Sequence, residues 1–396
     1  MALGGDPGRV PSDVTLENWQ SAPHLHWTFQ HIADFLPTAV ISRGTGPVAG
    51  LPSLPAELSD IALLDHTSGK RTTVGDVMAA TATDGWIVTQ HGKVLEEHYY
   101  SGMTSDTSHL LMSVSKTLIA TVVGALTGHH GLDLDAQLTS YIPALAASGY
   151  AGATVRNLLD MRSGIAFSEE YLNPMAEVRL LEQAIGWAPR TVPDLPNTMY
   201  DYLVTLRQQS AHGGPFRYRS CETDVLGWVC EAASGARMPE LMSEVLWSQL
   251  GAENDATIGV DSVGTGMFDG GINACLRDLA RFGVLFLTGG ASLTGAQVVP
   301  PSWIADTFAG GSDSRAAFAA SPDDNRMPGG MYRNQCWFPY PGDNVLLCLG
   351  IHGQMIYVNR AAGLVAAKLS SWPLPQDATK LFPTIAAFDE IAANVS

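Results

Sequence analysis

The chain has 396 residues, 46% of them hydrophobic and only 15% charged, with a formal net charge of −17. That composition excludes a disordered chain, which lacks the apolar side chains needed to offset the entropy of ordering. The acidic balance speaks against nucleic acid, which selects a basic face, and no run of 18 apolar residues offers a transmembrane helix.

The N-terminus, Met1 to Pro7, has neither a basic region nor an apolar core, so it does not read as a secretory signal. Five cysteines (Cys221, Cys230, Cys275, Cys336, Cys348) occur without C-x-x-C spacing, which points to reduced thiols and a cytoplasmic protein. Residues 1 to about 60 carry Gly, Pro and scattered aromatics. Gly44 to Gly50 lacks the Lys-Ser/Thr ending of a phosphate loop and reads as an ordinary loop. His24, His26 and His31 have no acidic or cysteine partner at ligand spacing, so no metal site is expected.

Trp86–Gln90 and Val94–Tyr100 read as two strands joined by His91-Gly92-Lys93. The hairpin leads into His109-Leu110-Leu111-Met112-Ser113-Val114-Ser115-Lys116, the entry of a helix whose run from Leu118 to Leu126 is almost wholly apolar. Such a helix has little solvent face, and Gly128 is the expected C-cap. Thr154 predicts an N-cap and Ser163-Gly164 a helix stop. Helical periodicity then dominates: Val178 to Ile185, Asn197 to Gln208, Glu222 to Ala233, Met238 to Leu250, and after Gly270-Gly271, Ala274 to Leu287. The tail returns to strands at Met331–Phe338, Val345–Gly350, Met355–Asn359 and Gly363–Ser370, with a closing helix from Phe382 to Ala393. An antiparallel sheet flanked by helices, with an inserted all-helical subdomain, is the expected α+β architecture. Residues 1–130 and 266–396 together form the α/β subdomain, and 131–265 the helical one.

Three stretches carry chemistry. Ser113 and Lys116 sit at i and i+3, on one helix face. Burial of the lysine is expected to lower its pKa, letting it accept or relay the serine proton. The bland alternative is a capping serine with a lysine snorkelling to the surface. Tyr218, in Phe216-Arg217-Tyr218-Arg219-Ser220, stands just before a helix, where a phenol sharing a proton with Lys116 could serve as base and then acid. Leu349-Gly350-Ile351-His352-Gly353 lies on a late strand, where backbone N–H groups beside glycine approach a ligand closely.

Together these pieces resemble the serine β-lactamase-related, penicillin-recognising family. Ser113-Val114-Ser115-Lys116 corresponds to its first motif, Tyr218-Arg219-Ser220 stands in the place of its Tyr-x-Asn, and the stretch around Gly350 replaces its Lys-Thr-Gly strand. Gly131-Leu132-Asp133-Leu134-Asp135 and Leu158 to Gly164 also look like this family, and the resemblance spans roughly residues 80 to 370. It implies a β-lactamase/transpeptidase-like fold. Within the family the sequence is similar to the nylon-oligomer amidases, whose fold is class C β-lactamase-like. That resemblance implies Ser113 as nucleophile, Lys116 and Tyr218 as proton-handling pair, and the N–H groups of Ser113 and Ile351 as oxyanion donors. It also places Tyr171, Glu182, Trp187, Asp269 and Trp337 around the substrate. The implied activity is amide hydrolysis of short linear ω-amino amides such as 6-aminohexanoate oligomers through an acyl-enzyme. Glu182 or Asp269 would hold the ammonium. A short-chain carboxylesterase and a non-catalytic ligand-binding relative are the alternatives. No metal or cofactor is implied, no nucleic-acid or membrane partner is expected, and a homodimer is what the resemblance suggests. The third-motif lysine falls on Cys348, Ser220 replaces an asparagine, and Met267 replaces an aromatic. The first two departures weaken a β-lactam reading.

Overall fold

A computed structural model describes residues 10–65, 69–129 and 131–395. In chain order the strands are β1 (Thr38–Ile41), β2 (Ala62–Asp65), β3 (Lys70–Thr73), β4 (Thr83–Gln90), β5 (Lys93–Tyr99), β6 (Ser108–Leu110), β7 (Ala256–Gly259), β8 (Ile272–Cys275), β9 (Met331–Arg333), β10 (Cys336–Phe338), β11 (Val345–Gly350), β12 (Gln354–Asn359) and β13 (Leu364–Ser370). Seven of them form the main antiparallel sheet in the order β5-β4-β13-β12-β11-β10-β9, and β1-β7-β8-β6 form a second sheet. The first and last thirds of the chain therefore meet at β4 and β13, in register from Leu364 opposite Gln90 to Leu369 opposite Gly85.

Both faces of the main sheet are covered, and β13 shows how. Val365 and Ala367 join one apolar cluster with the Leu276–Val284 helix. Leu364 and Ala366 join the other, with Phe388 and Ile391 of the C-terminal helix Ala378–Val395. Successive side chains point to opposite faces, so a strand buried on both reads as a continuous apolar run. The Val114–His129 helix packs on β11 and β12 and on the Ser220–Ser234 helix. It lies at the junction between the sheet and the helical middle of the chain.

Several expectations need correction. Met331–Phe338 is not one strand but the hairpin β9–β10, reversed at Asn334 and Gln335, both with positive φ (49° and 61°). The helix expected over Asn197–Gln208 spans only Met199–Leu203. Gly128 does not cap its helix, which continues to His129. It is a close-approach position instead, since a Cβ there would lie 2.9 Å from Pro300 Cγ. The regular elements of 131–265 are helices, mostly short, joined by long loops, apart from the four-residue strand β7, which pairs with β1 and β8. All five cysteines are free and buried. Among the described residues, no helix is long and apolar enough to cross a membrane, and no group of His, Cys, Asp or Glu is placed to hold a metal ion.

Candidate active site

Strand β6 aims the chain at Ser113. The Leu111 N–H donates to Ile272 O of β8 at 2.9 Å, and the backbone then turns sharply through Met112, whose φ is +46°. A non-glycine residue in the left-handed region is strained, and such strain persists only where the surroundings enforce it. The turn delivers Ser113 to the start of the Val114–His129 helix, with its side chain facing a cleft of about 980 Å³. Lys116, one turn on, is 1% exposed. Its Nζ donates to Ser113 Oγ at 3.0 Å and to Asp269 O at 2.7 Å, with Asp269 Oδ2 at 3.4 Å.

The expected fall in the lysine pKa is overturned. Burial does push it down, but Tyr218 and the carboxylates of Asp269, Glu169 and Asp224 push it up by more, and the net shift is upward. Asp224 sits behind Asp269, with Oδ1 accepting the Asp269 N–H at 3.1 Å. Lys116 is thus a buried ammonium among carboxylates.

Tyr218 is fixed from both sides. The neighbouring Arg217 N–H donates to Met161 O at 3.0 Å, and Phe216 N–H to Ala317 O at 3.0 Å. Its ring stacks on Trp337 at 5.5 Å and lies 5.3 Å from Lys116 Nζ. Burial raises the phenol pKa, and the net shift is upward although the Lys116 charge and the hydrogen bond with Ser113 pull against it.

The end of β11 closes the site. A Cβ on Gly350 would lie 2.7 Å from Leu111 O and 3.1 Å from Ser113 N, so only glycine lets this strand come so close. The next N–H, Ile351, and that of Ser113 donate to no group among the described residues. Both residues line the cleft. Cys348 is buried inside the sheet against Cys336, so this strand offers the cleft no cation.

Of the residues expected around a substrate, Tyr171 and Trp337 line the cleft. Glu182, Trp187 and Asp269 are not among its lining residues. Glu182 is 6% exposed and holds Arg179 at 2.7 and 2.8 Å, with Gln20 at 3.2 Å. Its charge is already matched. Trp187 is a core side chain, packed on Trp19 at 5.5 Å and over Gly259. Asp269 lies behind Lys116 and serves it.

The residue the sequence reading missed is Glu169. It lines the cleft, and its Oε1 accepts the Ser220 N–H at 2.5 Å. Its Oε2 accepts Ser220 Oγ at 3.2 Å and the Tyr171 hydroxyl at 2.5 Å. All three donors are neutral, and burial raises its pKa while Lys116 pulls it down. No spacing marks it; only its place beside Tyr171 in sequence hinted at the site. The cleft as a whole carries five carboxylates, Glu169, Glu170, Glu177, Asp323 and Asp377, against the guanidinium groups of Arg217 and Arg326.

Residues 64–390 match the Beta-lactamase family. The chain is 38% identical over 369 residues to the 6-aminohexanoate-dimer hydrolase of Paenarthrobacter ureafaciens, covering 93% of this chain and 91% of that one. A candidate 6-aminohexanoate-dimer hydrolase from Bacillus anthracis superposes with a TM-score of 0.89 at 26% identity, over 98% of both chains. A family VIII carboxylesterase shares the fold at 16% identity and a TM-score of 0.59, covering 83% of this chain and 98% of its own. By family match and by the identity of its relative alike, the chain belongs to the beta-lactamase family.

Proposed function

We propose that this chain is a serine amidohydrolase that cleaves short linear ω-amino amides, 6-aminohexanoate oligomers among them, through an acyl-enzyme. The observation that carries the reading is the convergence of Ser113, Lys116 and Tyr218 at the floor of a net-negative cleft. Ser113 Oγ attacks the carbonyl, and its proton goes to the Tyr218–Lys116 pair. Tyr218 accepts the proton in its ionised form, which the Lys116 ammonium favours against a burial that raises the phenol pKa on balance. The N–H groups of Ser113 and Ile351 receive the oxyanion, each such donor being worth about 2.7–4 kcal/mol. The amine leaves with the proton, and water repeats the sequence on the acyl-enzyme.

The absence of a cation on β11 and the presence of Glu169 favour an acyl group ending in an ammonium over one ending in a carboxylate. Glu169 replaces Glu182 and Asp269 as the amine anchor in this reading. The test uses matched esters, p-nitrophenyl 6-aminohexanoate and p-nitrophenyl hexanoate, whose turnover needs no amide cleavage. Glu169→Gln should lower the charged-to-neutral ratio of kcat/KM by about tenfold, a hydrogen bond to a charged group being worth roughly 1.5 kcal/mol or more. An unchanged ratio removes Glu169 as anchor.

Ester cleavage is the second reading, since an alkoxide leaves more readily than an amine and the carboxylesterase shares the fold. Relative turnover of p-nitrophenyl butyrate and the 6-aminohexanoate dimer separates the two. On either substrate, Gly350→Ala should lower kcat by about 10²-fold or more, because its methyl group would displace Ile351 N–H from the Ser113 turn. A variant within threefold of the parent would remove that N–H from the mechanism.

A further inference from the structure

One buried carboxylate outside the cleft touches the segment that supplies one oxyanion donor and is linked through a neighbouring strand end to the segment that supplies the other. Asp84, near the start of β4, is 0% exposed. Its Oδ2 accepts His109 Nε2 at 3.2 Å and Ser371 Oγ at 2.5 Å, while its Oδ1 meets the ring of half-exposed His26. His109 lies on β6, four residues before Ser113, and its other ring nitrogen bonds Leu110 O at 2.8 Å. Ser371 follows β13, and its neighbour Trp372 is locked to His352. Trp372 N–H donates to His352 O at 3.0 Å, and His352 Nδ1 donates to Trp372 O at 2.6 Å.

His352 directly follows Ile351. It sits in the left-handed region at φ +60°, held there also by its N–H to Pro375 O at 2.9 Å. Phe29 lies between the two histidine rings, 5.7 Å from His109 and 5.4 Å from His352, and its carbonyl accepts the Leu110 N–H at 2.7 Å. The strained Met112 turn and the strained His352 turn therefore share one anchor.

We infer that Asp84 is a positioning residue that fixes the spacing of the Ser113 and Ile351 N–H groups, acting through His109 on one side and through Ser371, Trp372 and His352 on the other. The inference rests on the reading of those N–H groups as oxyanion donors. One carboxylate oxygen takes both His109 and Ser371, and the other faces His26. Asparagine can keep the first two bonds only by turning its amide NH2 toward His26, and it gives up the negative charge that faces both imidazole rings. Donors misplaced by about 1 Å forfeit stabilisation of the tetrahedral state while leaving ground-state binding largely alone.

The experiment measures kcat, KM and boronic-acid affinity in the whole chain for Asp84→Asn, Ser371→Ala and Ser371→Thr, with rates divided by sites titrated to endpoint with a fluorophosphonate. Expected for Asp84→Asn and Ser371→Ala is a kcat per titrated site lower by about tenfold or more, boronate affinity lower in parallel, KM within threefold, and recovery in Ser371→Thr. If Asp84→Asn does not fold, the Ser371 pair decides alone. A kcat per titrated site within twofold of the parent in Ser371→Ala overturns the inference, as does a loss that is confined to the number of titrated sites. Retained turnover in Ser113→Ala would instead overturn the reading beneath it, so the two failures are distinct.

Discussion

Ser113→Ala should turn over neither the 6-aminohexanoate dimer nor p-nitrophenyl butyrate, with kcat reduced by roughly 10⁴-fold or more, because a nucleophile removed from a concerted set takes almost all of its catalysis with it. The fold should survive. Ser113 Oγ is one of three oxygen contacts of Lys116 Nζ, and the two to Asp269 remain. The lost hydrogen bond to a charged group costs about 1.5–3 kcal/mol at most. Circular dichroism and a thermal melt check the fold, and fluorophosphonate labelling checks the chemistry. A soluble, folded variant that keeps more than a hundredth of the parent rate would sink the acyl-enzyme. Loss of labelling with an unchanged melt is the expected pair of results, and it also disposes of a purely ligand-binding protein.

The three residues proposed for catalysis could be singled out in the sequence because local signals mark them and the family resemblance gives them roles. Ser113 and Lys116 share a helix turn inside an apolar run, and Tyr218 precedes a helix start; Gly350 beside them ends a strand. What surrounds the trio was not legible, because it arrives from far along the chain. Asp269 meets Lys116 across 153 residues, and together with Tyr218, Glu169 and Asp224 it reverses the shift that burial alone predicts. Asp84 meets Ser371 across 287. The second sheet was also hidden. Its strands are three or four residues long and β8 is buried throughout, so no alternation reaches the surface. Glu182 is a different case. Arg179 stands three residues before it on the same helix, the spacing at which ion pairs form. That neutralising partner was readable from the spacing, and the expectation of Glu182 as an amine anchor did not weigh it.

Lys116→Met should show two losses whose pH dependences differ from those of any surface change. Turnover should fall by about 10²–10⁴-fold, the range for a positioned proton-transfer group. Stability should also fall, by about 3–5 kcal/mol near neutral pH, since one member of a buried ion pair is removed and the other stays. The sign with pH follows from the groups left behind. In the parent the ammonium is held charged, its pKa raised by Tyr218, Asp269, Glu169 and Asp224 against burial. That contribution is complete below the ordinary lysine range, near 10.5, and fades only as pH climbs through the raised folded value. Without the ammonium, Asp224 and Glu169, which burial already shifts upward, lose the charge that draws them down. Acids raised in the folded state weaken it in full above their folded pKa, and the penalty fades as pH falls from there toward the unfolded value. The stability deficit of Lys116→Met should therefore be largest at pH 8 and shrink toward pH 5 as these carboxyls protonate. Urea titrations of both proteins across that interval measure it. A deficit that stays constant, or widens toward acid, would show that Lys116 does not neutralise the carboxylates behind the nucleophile, and the assignment of Tyr218 as proton acceptor would lose its support.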